Sequence, residues 1–515
     1  MPAPDRRLPA PRSPYVVGVL VAAGVTVLAR LPFLGRPLSA DEAGYWLLAR
    51  DWSPGSSLYG DYWVDRPPLL LWLFRLGDAL GGPGLPADGL TVPGVRWVGL
   101  VAAGLTVLLT GLLAARVEGR RPSLLAPLLA AALLCSPLLG LPEANGEVLG
   151  VPFVVLGLAL LVGTLDAPAG RRTLALTAAA GGAGMAAALV KQNLVDVLVF
   201  GVVVLVLSHR QLDRVGRRLA ALAAGALAVL GAALAGAAAR GTSPAELADA
   251  VVTFRIEASA VIGSSASAAT PARLGEVVVA FVVSGAAVVL VAAAALALRR
   301  AFRPGPRALA VAALVLVAWE VVGVVGGGSY WLHYLTGLVP GLVLLVSVAR
   351  TGTPGTPGTP GTPSTPPRTA HRTLLGACVA LCVVSAAIAW GHQVRTPHRI
   401  DAEARVETWL RAHADPADGV VVAFGHPQVV AGSGLHSPYL HLWSLPVRVR
   451  DPDLTTLRHV LAGPDAPRWV VVSGDGVATW GLDPVAARRV QAQLARTYTA
   501  RVSYGVLHVW ERRTP

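Results

Sequence analysis

Cysteine, lysine and asparagine are nearly missing from this chain of 515 residues. Its three cysteines, Cys135, Cys378 and Cys382, all sit inside apolar stretches without metal-ligand spacing, so neither a disulfide framework nor a zinc site is indicated. Charge is scarce too: 14% of residues are charged against 54% hydrophobic, outside the range of soluble globular domains. An acidic majority is absent, since 43 Lys and Arg outnumber 30 Asp and Glu and leave a net charge of +13. That excess does not describe a nucleic-acid face, because the arginines fall in short clusters between apolar runs. No nucleic-acid partner is expected.

What is there is apolar sequence in lengths that fit a bilayer, which takes about 20 residues per helical span. Eleven candidates follow: 15–34, 94–115, 122–140, 148–165, 173–190, 194–208, 219–239, 274–298, 307–327, 331–349 and 373–391. The first, preceded by Arg6, Arg7 and Arg12, has the outline of a signal peptide, but the many similar spans after it favour an uncleaved first span. Arginine-rich loops alternate along this list: Arg116/Arg120/Arg121, Arg171/Arg172, Arg210/Arg214/Arg217/Arg218, Arg299/Arg300/Arg303/Arg307 and Arg350/Arg368/Arg372 share one side with the N-terminus. The positive-inside rule makes that side cytoplasmic. The expectation is an α-helical polytopic protein of the cell membrane with about 11 spans.

The opposite side receives the loop 35–93, the turn 141–147, residues 191–193, the loop 240–273 and everything after 392. Two helices are expected in the first loop, 41–52 and 66–80, too short to span and placed along the membrane interface. The Gly-Thr-Pro repeats within 351–372 read as an extended cytoplasmic linker between a membrane domain, 1–350, and the last span. After it, apolar runs at 420–424, 469–472 and 506–510 alternate with helical patterns at 402–413, 453–462 and 485–497. Residues 392–515 therefore form a small extracytoplasmic α/β domain. It has no Gly-rich phosphate loop or nucleophile elbow, so an accessory role fits it better than a catalytic one.

Polar residues collect on the extracytoplasmic side. Asp41 and Glu42 follow the first span as adjacent carboxylates near an apolar surface, which are costly unless used or paired. Helix capping by Ser39 or Asp41, with Glu42 favoured by the helix dipole, is the bland alternative. Asp65 is well placed to cap the helix that Pro67 opens, and Arg66 is placed to grip a phosphate or to snorkel to headgroups. Glu143 and Glu147 flank Asn145 in the turn between two spans, and would share a face if that turn were helical. Lys191 is the single lysine, and Asn145 and Asn193 are the two asparagines. All three map to extracytoplasmic span ends. Arginine was plainly available to this composition, so a compact ammonium at 191 points to a specific need, interfacial anchoring being the alternative. His333, in an aromatic belt at the start of a span, could face the same polar region.

The arrangement Asp41-Glu42, Tyr45 and then Arg66-Pro67-Pro68-Leu69 with Trp72, after a first span, resembles the GT-C glycosyltransferases that use polyprenyl-phosphate sugars, a group including protein O-mannosyltransferases and lipid A aminoarabinose transferases. The motifs are confined to residues 41–72. The resemblance implies transfer of a hexosyl or pentosyl unit from a lipid-linked donor to an extracytoplasmic acceptor hydroxyl, with inversion. It implies Asp41 as base, with Glu42 beside it. Lys191 and Arg66 are the candidates for the donor phosphate, and Glu143, Glu147, Asn145 and His333 for orienting the acceptor or a divalent metal. A transporter or lipid flippase is the rival from another class, but the internal repeats and mid-membrane charges it calls for are not apparent. A noncatalytic subunit of envelope assembly is the third reading.

Overall fold

The computed structural model describes residues 13–81, 93–264, 269–302, 307–351, 368–396, 401–474, 477 and 482–513. Arg6, Arg7, Arg12 and Arg303 and most of the expected linker, 352–367, lie outside the described residues. Among the described residues, seven helices are long and apolar enough to cross a membrane: Pro14–Phe33, Gly94–Glu118, Arg171–Val190, Val215–Ala238, Arg307–Val325, Leu332–Arg350 and Ala370–Arg395. An eighth apolar stretch is a pair, Thr270–Val283 and Ala286–Ala301, bent by 66°. The bend falls at Gly285, whose φ of +80° suits glycine. Three expected spans are shorter helices, Leu125–Leu134, Gly146–Val162 and Asp196–Leu207. The first of these is cut by Pro137, because the residue before a proline is driven out of the helical region. The chain is a multi-pass membrane protein, and each of the eleven expected stretches carries helix, although only seven have the length of a full span.

Two compact units divide the chain, the first from Met1–Phe33, Gly99–Ala232 and Pro271–Thr396, the second from Leu34–Val98, Ala233–Thr270 and Pro397–Pro515. In the first unit small residues let helices meet closely, as is usual where lipid removes the hydrophobic drive for packing. A Cβ on Gly181 would lie 1.9 Å from the Leu222 carbonyl oxygen, and one on Gly225 would lie 1.8 Å from that of Ala178. The helices Arg171–Val190 and Val215–Ala238 therefore depend on those two glycines.

The second unit contains a four-stranded sheet, β1 Val420–Ala423, β2 Trp469–Ser473, β3 Tyr498–Tyr504 and β4 Leu507–Arg512, in the order β1-β2-β4-β3. β1 and β2 pair in parallel, and β2–β4 and β4–β3 are antiparallel. β1 is buried throughout and β2 nearly so, which is why they read as unbroken apolar runs. Helices Ala402–His413, Thr455–Ala462 and Pro484–Thr497 match the expected patterns. β3 was not expected: only its first residue is fully buried, so its sequence carries little apolar signal.

The first-loop helices are Ala40–Asp51 and Pro68–Gly81. Ala40–Asp51 does not have the interfacial character expected of it. Residues Glu42 through Ala49 are all buried, and the helix packs on Pro68–Gly81 and on Pro427–Ser433 within the second unit.

Candidate active site

In the second unit the site is built around the start of the helix Ala40–Asp51. Ser39 caps it. The Ser39 hydroxyl accepts from the Glu42 N–H at 3.4 Å, and Glu42 Oε2 accepts from the Ser39 N–H at 3.0 Å, a reciprocal capping box. Glu42 is 1% exposed and also meets Arg96, whose Nη2 donates to Oε2 at 2.7 Å and whose Nε lies 2.7 Å from Oε1. Its carboxylate is thus consumed by structure.

Asp41, one residue earlier, differs. It sits in the first turn, where the helix dipole favours an anion, and is only partly buried. Its Oδ1 accepts from the Trp443 indole N–H at 2.9 Å. Among the described residues no cation pairs with it. Gly44 makes this contact possible, since a Cβ there would fall 2.2 Å from the Trp443 ring.

Asp65 does not cap the following helix as expected, because that helix begins only at Pro68. Its two oxygens instead face Arg66 Nη1 at 2.7 Å and Arg255 Nη1 at 2.9 Å. Burial pushes the Asp65 carboxyl up, but Arg66 and Arg255 outweigh it and hold the group below its ordinary range. Arg66 Nε also donates to the Tyr45 hydroxyl at 3.0 Å, and the Arg66 carbonyl accepts from the Tyr59 hydroxyl at 2.5 Å. The guanidinium is held in a fixed direction by these contacts, as phosphate recognition by a planar fork requires.

The first unit brings together the other expected residues. Asn145 is the N-cap of Gly146–Val162, accepting from the Val148 N–H at 3.0 Å, and Glu147 follows in the first turn. Glu143 lies outside the helix, so the expected shared helical face does not exist. The two glutamates are linked instead through His333, whose Nδ1 is 3.6 Å from Glu143 and whose Nε2 is 4.0 Å from Glu147. Gly140, at φ +78°, admits the histidine: a Cβ there would lie 2.8 Å from His333 Cβ. Lys191 ends the helix Arg171–Val190 in extended backbone, which turns its side chain away from the helix. Its ammonium forms an ion pair with Glu147 Oε1 and stands 4.1 Å from the centre of the Tyr334 ring. Glu147 is 2% exposed, and among the described residues its Oε2 has no hydrogen-bond donor.

No protein-family model matches the chain, and no curated protein matches it. Solved structures do. ArnT from Cupriavidus metallidurans bound to undecaprenyl phosphate superposes with a TM-score of 0.60 at 17% identity, over 96% of this chain and 97% of that one. The apo form of that ArnT gives 0.54 at 16% identity, over the same shares. The apo oligosaccharyltransferase from Archaeoglobus fulgidus gives 0.58 at 11% identity, over 90% of this chain and 70% of that one. The chain has a GT-C fold.

Several neighbours of the candidate residues in this GT-C fold escaped the sequence reading. Arg96 and Trp443 act on Glu42 and Asp41 from distant positions, and Arg30 donates to the Leu134 and Glu143 carbonyls at 3.0 and 3.3 Å, tying down the turn that carries Glu143. Asp196 and Glu320, 1% and 4% exposed, line with Glu147 and Asn193 a cavity of about 10 Å³, room for one water. Such carboxylates lie inside apolar runs far apart in sequence, so only a shared environment reveals them.

Among the described residues no three His, Cys, Asp or Glu side chains are grouped to hold a metal, and Glu147 is already engaged by Lys191. Glu143 and Glu147 are instead seen in charge pairing, the first with His333 and the second with His333 and Lys191.

Proposed function

We propose that this protein is a membrane glycosyltransferase that moves a hexosyl or pentosyl unit from a polyprenyl-phosphate donor to an extracytoplasmic acceptor hydroxyl. The observation that carries this reading is the state of Asp41. It is a carboxylate at a helix start, oriented by one indole N–H and with no cation on it among the described residues, while Glu42 beside it is locked to Arg96. A general base needs that combination of fixed direction and an oxygen not engaged by a cation. Likeness of fold to ArnT, described with undecaprenyl phosphate bound, supports the donor class. A transporter reading draws no support from the same likeness.

In the proposed step the acceptor oxygen attacks the anomeric carbon and its proton passes to Asp41. The bond from that carbon to the phosphate oxygen breaks, and its electron pair leaves with the polyprenyl phosphate. A single displacement inverts the anomeric centre. The leaving group is stable as an anion, so no general acid is required. Negative charge grows on the phosphate, for which Arg66 in the second unit and Lys191 in the first are separate candidates, each oriented by its neighbours within its own unit. The arginine alternation supports a cytoplasmic N-terminus and an extracytoplasmic segment 392–515.

Membranes containing the chain, supplied with a panel of labelled polyprenyl-phosphate sugars, test the proposal. Label should move from lipid to an acceptor as free polyprenyl phosphate accumulates. Translocation of intact lipid-linked sugar without bond cleavage would overturn it in favour of a flippase.

A further inference from the structure

Two helices of the sheet domain, Thr455–Ala462 and Pro484–Thr497, each bury one side and leave the other free. Leu457 and Leu461 on the first, and Ala486, Val490 and Leu494 on the second, enter the domain core at helical spacing. Other sides of the same helices wall a groove of about 660 Å³. Arg488, Arg489 and Arg496 line it from the second helix and Arg458 from the first, with no Asp or Glu among the lining residues. All four arginines are exposed. Among the described residues none of them forms an ion pair, and Arg496 Nε merely turns back to the Ala492 carbonyl at 3.1 Å.

Several other arginines of the second unit are paired with acids. Arg468 pairs with Asp415, Asp418 and Glu511, Arg501 with Glu511, and Arg450 with Asp249 and Glu257. Four unpaired like charges around one concavity are unfavourable until an anion enters it. The volume lies within the range of about 300–1,000 Å³ that takes a sizeable ligand. Along the second helix, the rise of about 1.5 Å per residue separates the Arg488/Arg489 pair from Arg496 by about 11 Å. That distance suits successive anionic groups on one chain better than a single ion. Ala462 and Ala492 line the groove with methyl groups alone, which leaves width for ring-sized units between the arginines.

We propose that this groove binds an acidic polymer, a chain bearing phosphate or carboxylate groups at regular intervals. Its use as the acceptor of the transferred sugar rests on the function proposed above, whereas binding itself does not.

The test uses the full chain in phosphatidylcholine nanodiscs, titrated with fluorescently labelled inorganic polyphosphate and with labelled polygalacturonate at several salt concentrations. At least one polymer binds the wild type, and which one identifies the anionic group. R488Q/R489Q weakens that binding at least tenfold and reduces the slope of log affinity against log salt by about 1.4, the change expected for two lost contacts to a flexible chain. R405Q/R501Q removes the same charge from exposed positions outside the groove and changes affinity less than twofold, and both variants keep the wild-type circular dichroism. Equal losses from the two pairs, no binding of either polymer, or binding only when the nanodiscs contain phosphatidylglycerol overturns the proposal. Polymer binding here, combined with no label transfer in the polyprenyl-phosphate-sugar assay above, would instead sink the transferase reading and leave the groove intact.

Discussion

Asp41 and Glu42 are adjacent, equal in charge and different in employment. Glu42 spends its oxygens on Ser39 and Arg96, so Glu42→Gln or Arg96→Met strands a buried partner and is expected to cost about 3–5 kcal/mol. Thermal unfolding of the purified variants should show that loss. Asp41→Asn removes a partly exposed charge and should leave the unfolding midpoint near wild type while cutting turnover by about 10²- to 10⁴-fold. Trp443→Phe keeps an aromatic ring but loses the indole N–H, and a loss of about tenfold is expected in the same transfer assay. A Glu42 variant that is fully stable but inactive would exchange the two roles. For Lys191, replacement by Met leaves Glu147 beside His333 without its cation, and KM for the lipid donor should rise about tenfold or more. Unchanged kinetics would remove Lys191 from donor binding. Lys191 was legible because lysine is so rare here, and Asp41 and Glu42 because they are adjacent carboxylates just after the first span. Arg96, Arg255 and Trp443 were not, since nothing in local spacing links Trp443 to a carboxylate 402 positions away.

Elements were legible where length or period dictated them. The bilayer sets helix length and the capping box sets a start, so the helix from Ala40 and the seven full-length membrane helices appear close to their expected bounds. Edge strand β3 and the early end of Leu125–Leu134 depended on neighbours and on one proline. The helix Ala402–His413 carries a consequence of its packing. Glu407 is 8% exposed and lies against Gly432, where a Cβ would come within 2.2 Å of its carboxyl. Burial raises its pKa to about 7, Arg411 opposes the rise and Glu403 adds to it. An acid with a raised folded pKa contributes stability that is whole below its unfolded pKa, near 4.5, and is lost as pH rises through about 7. The loss amounts to about 3 kcal/mol. Glu407→Gln should therefore stabilise the protein at pH 8 and not at pH 4.5, as read by chemical unfolding at the two values. Equal effects at both would mean that Glu407 ionises normally.

At the scale of the molecule, a GT-C fold is kept at 17% identity over 96% of the chain. The physical reason is that span length and satisfied backbone hydrogen bonds constrain a membrane protein more than particular apolar side chains do. Topology therefore persists where sequence similarity does not. The same economy hid the division into units, because residues 34–98 and 233–270 cluster with the C-terminal segment although spans separate them in sequence. The proposed chemistry is decided most directly by incubating purified wild-type and Asp41→Asn proteins with synthetic polyprenyl-phosphate sugars of known anomeric configuration and an envelope acceptor fraction. Wild type should yield a product of inverted configuration together with free polyprenyl phosphate, and the variant almost none. Equal transfer by both proteins, or retention of configuration, would contradict a single displacement driven by Asp41.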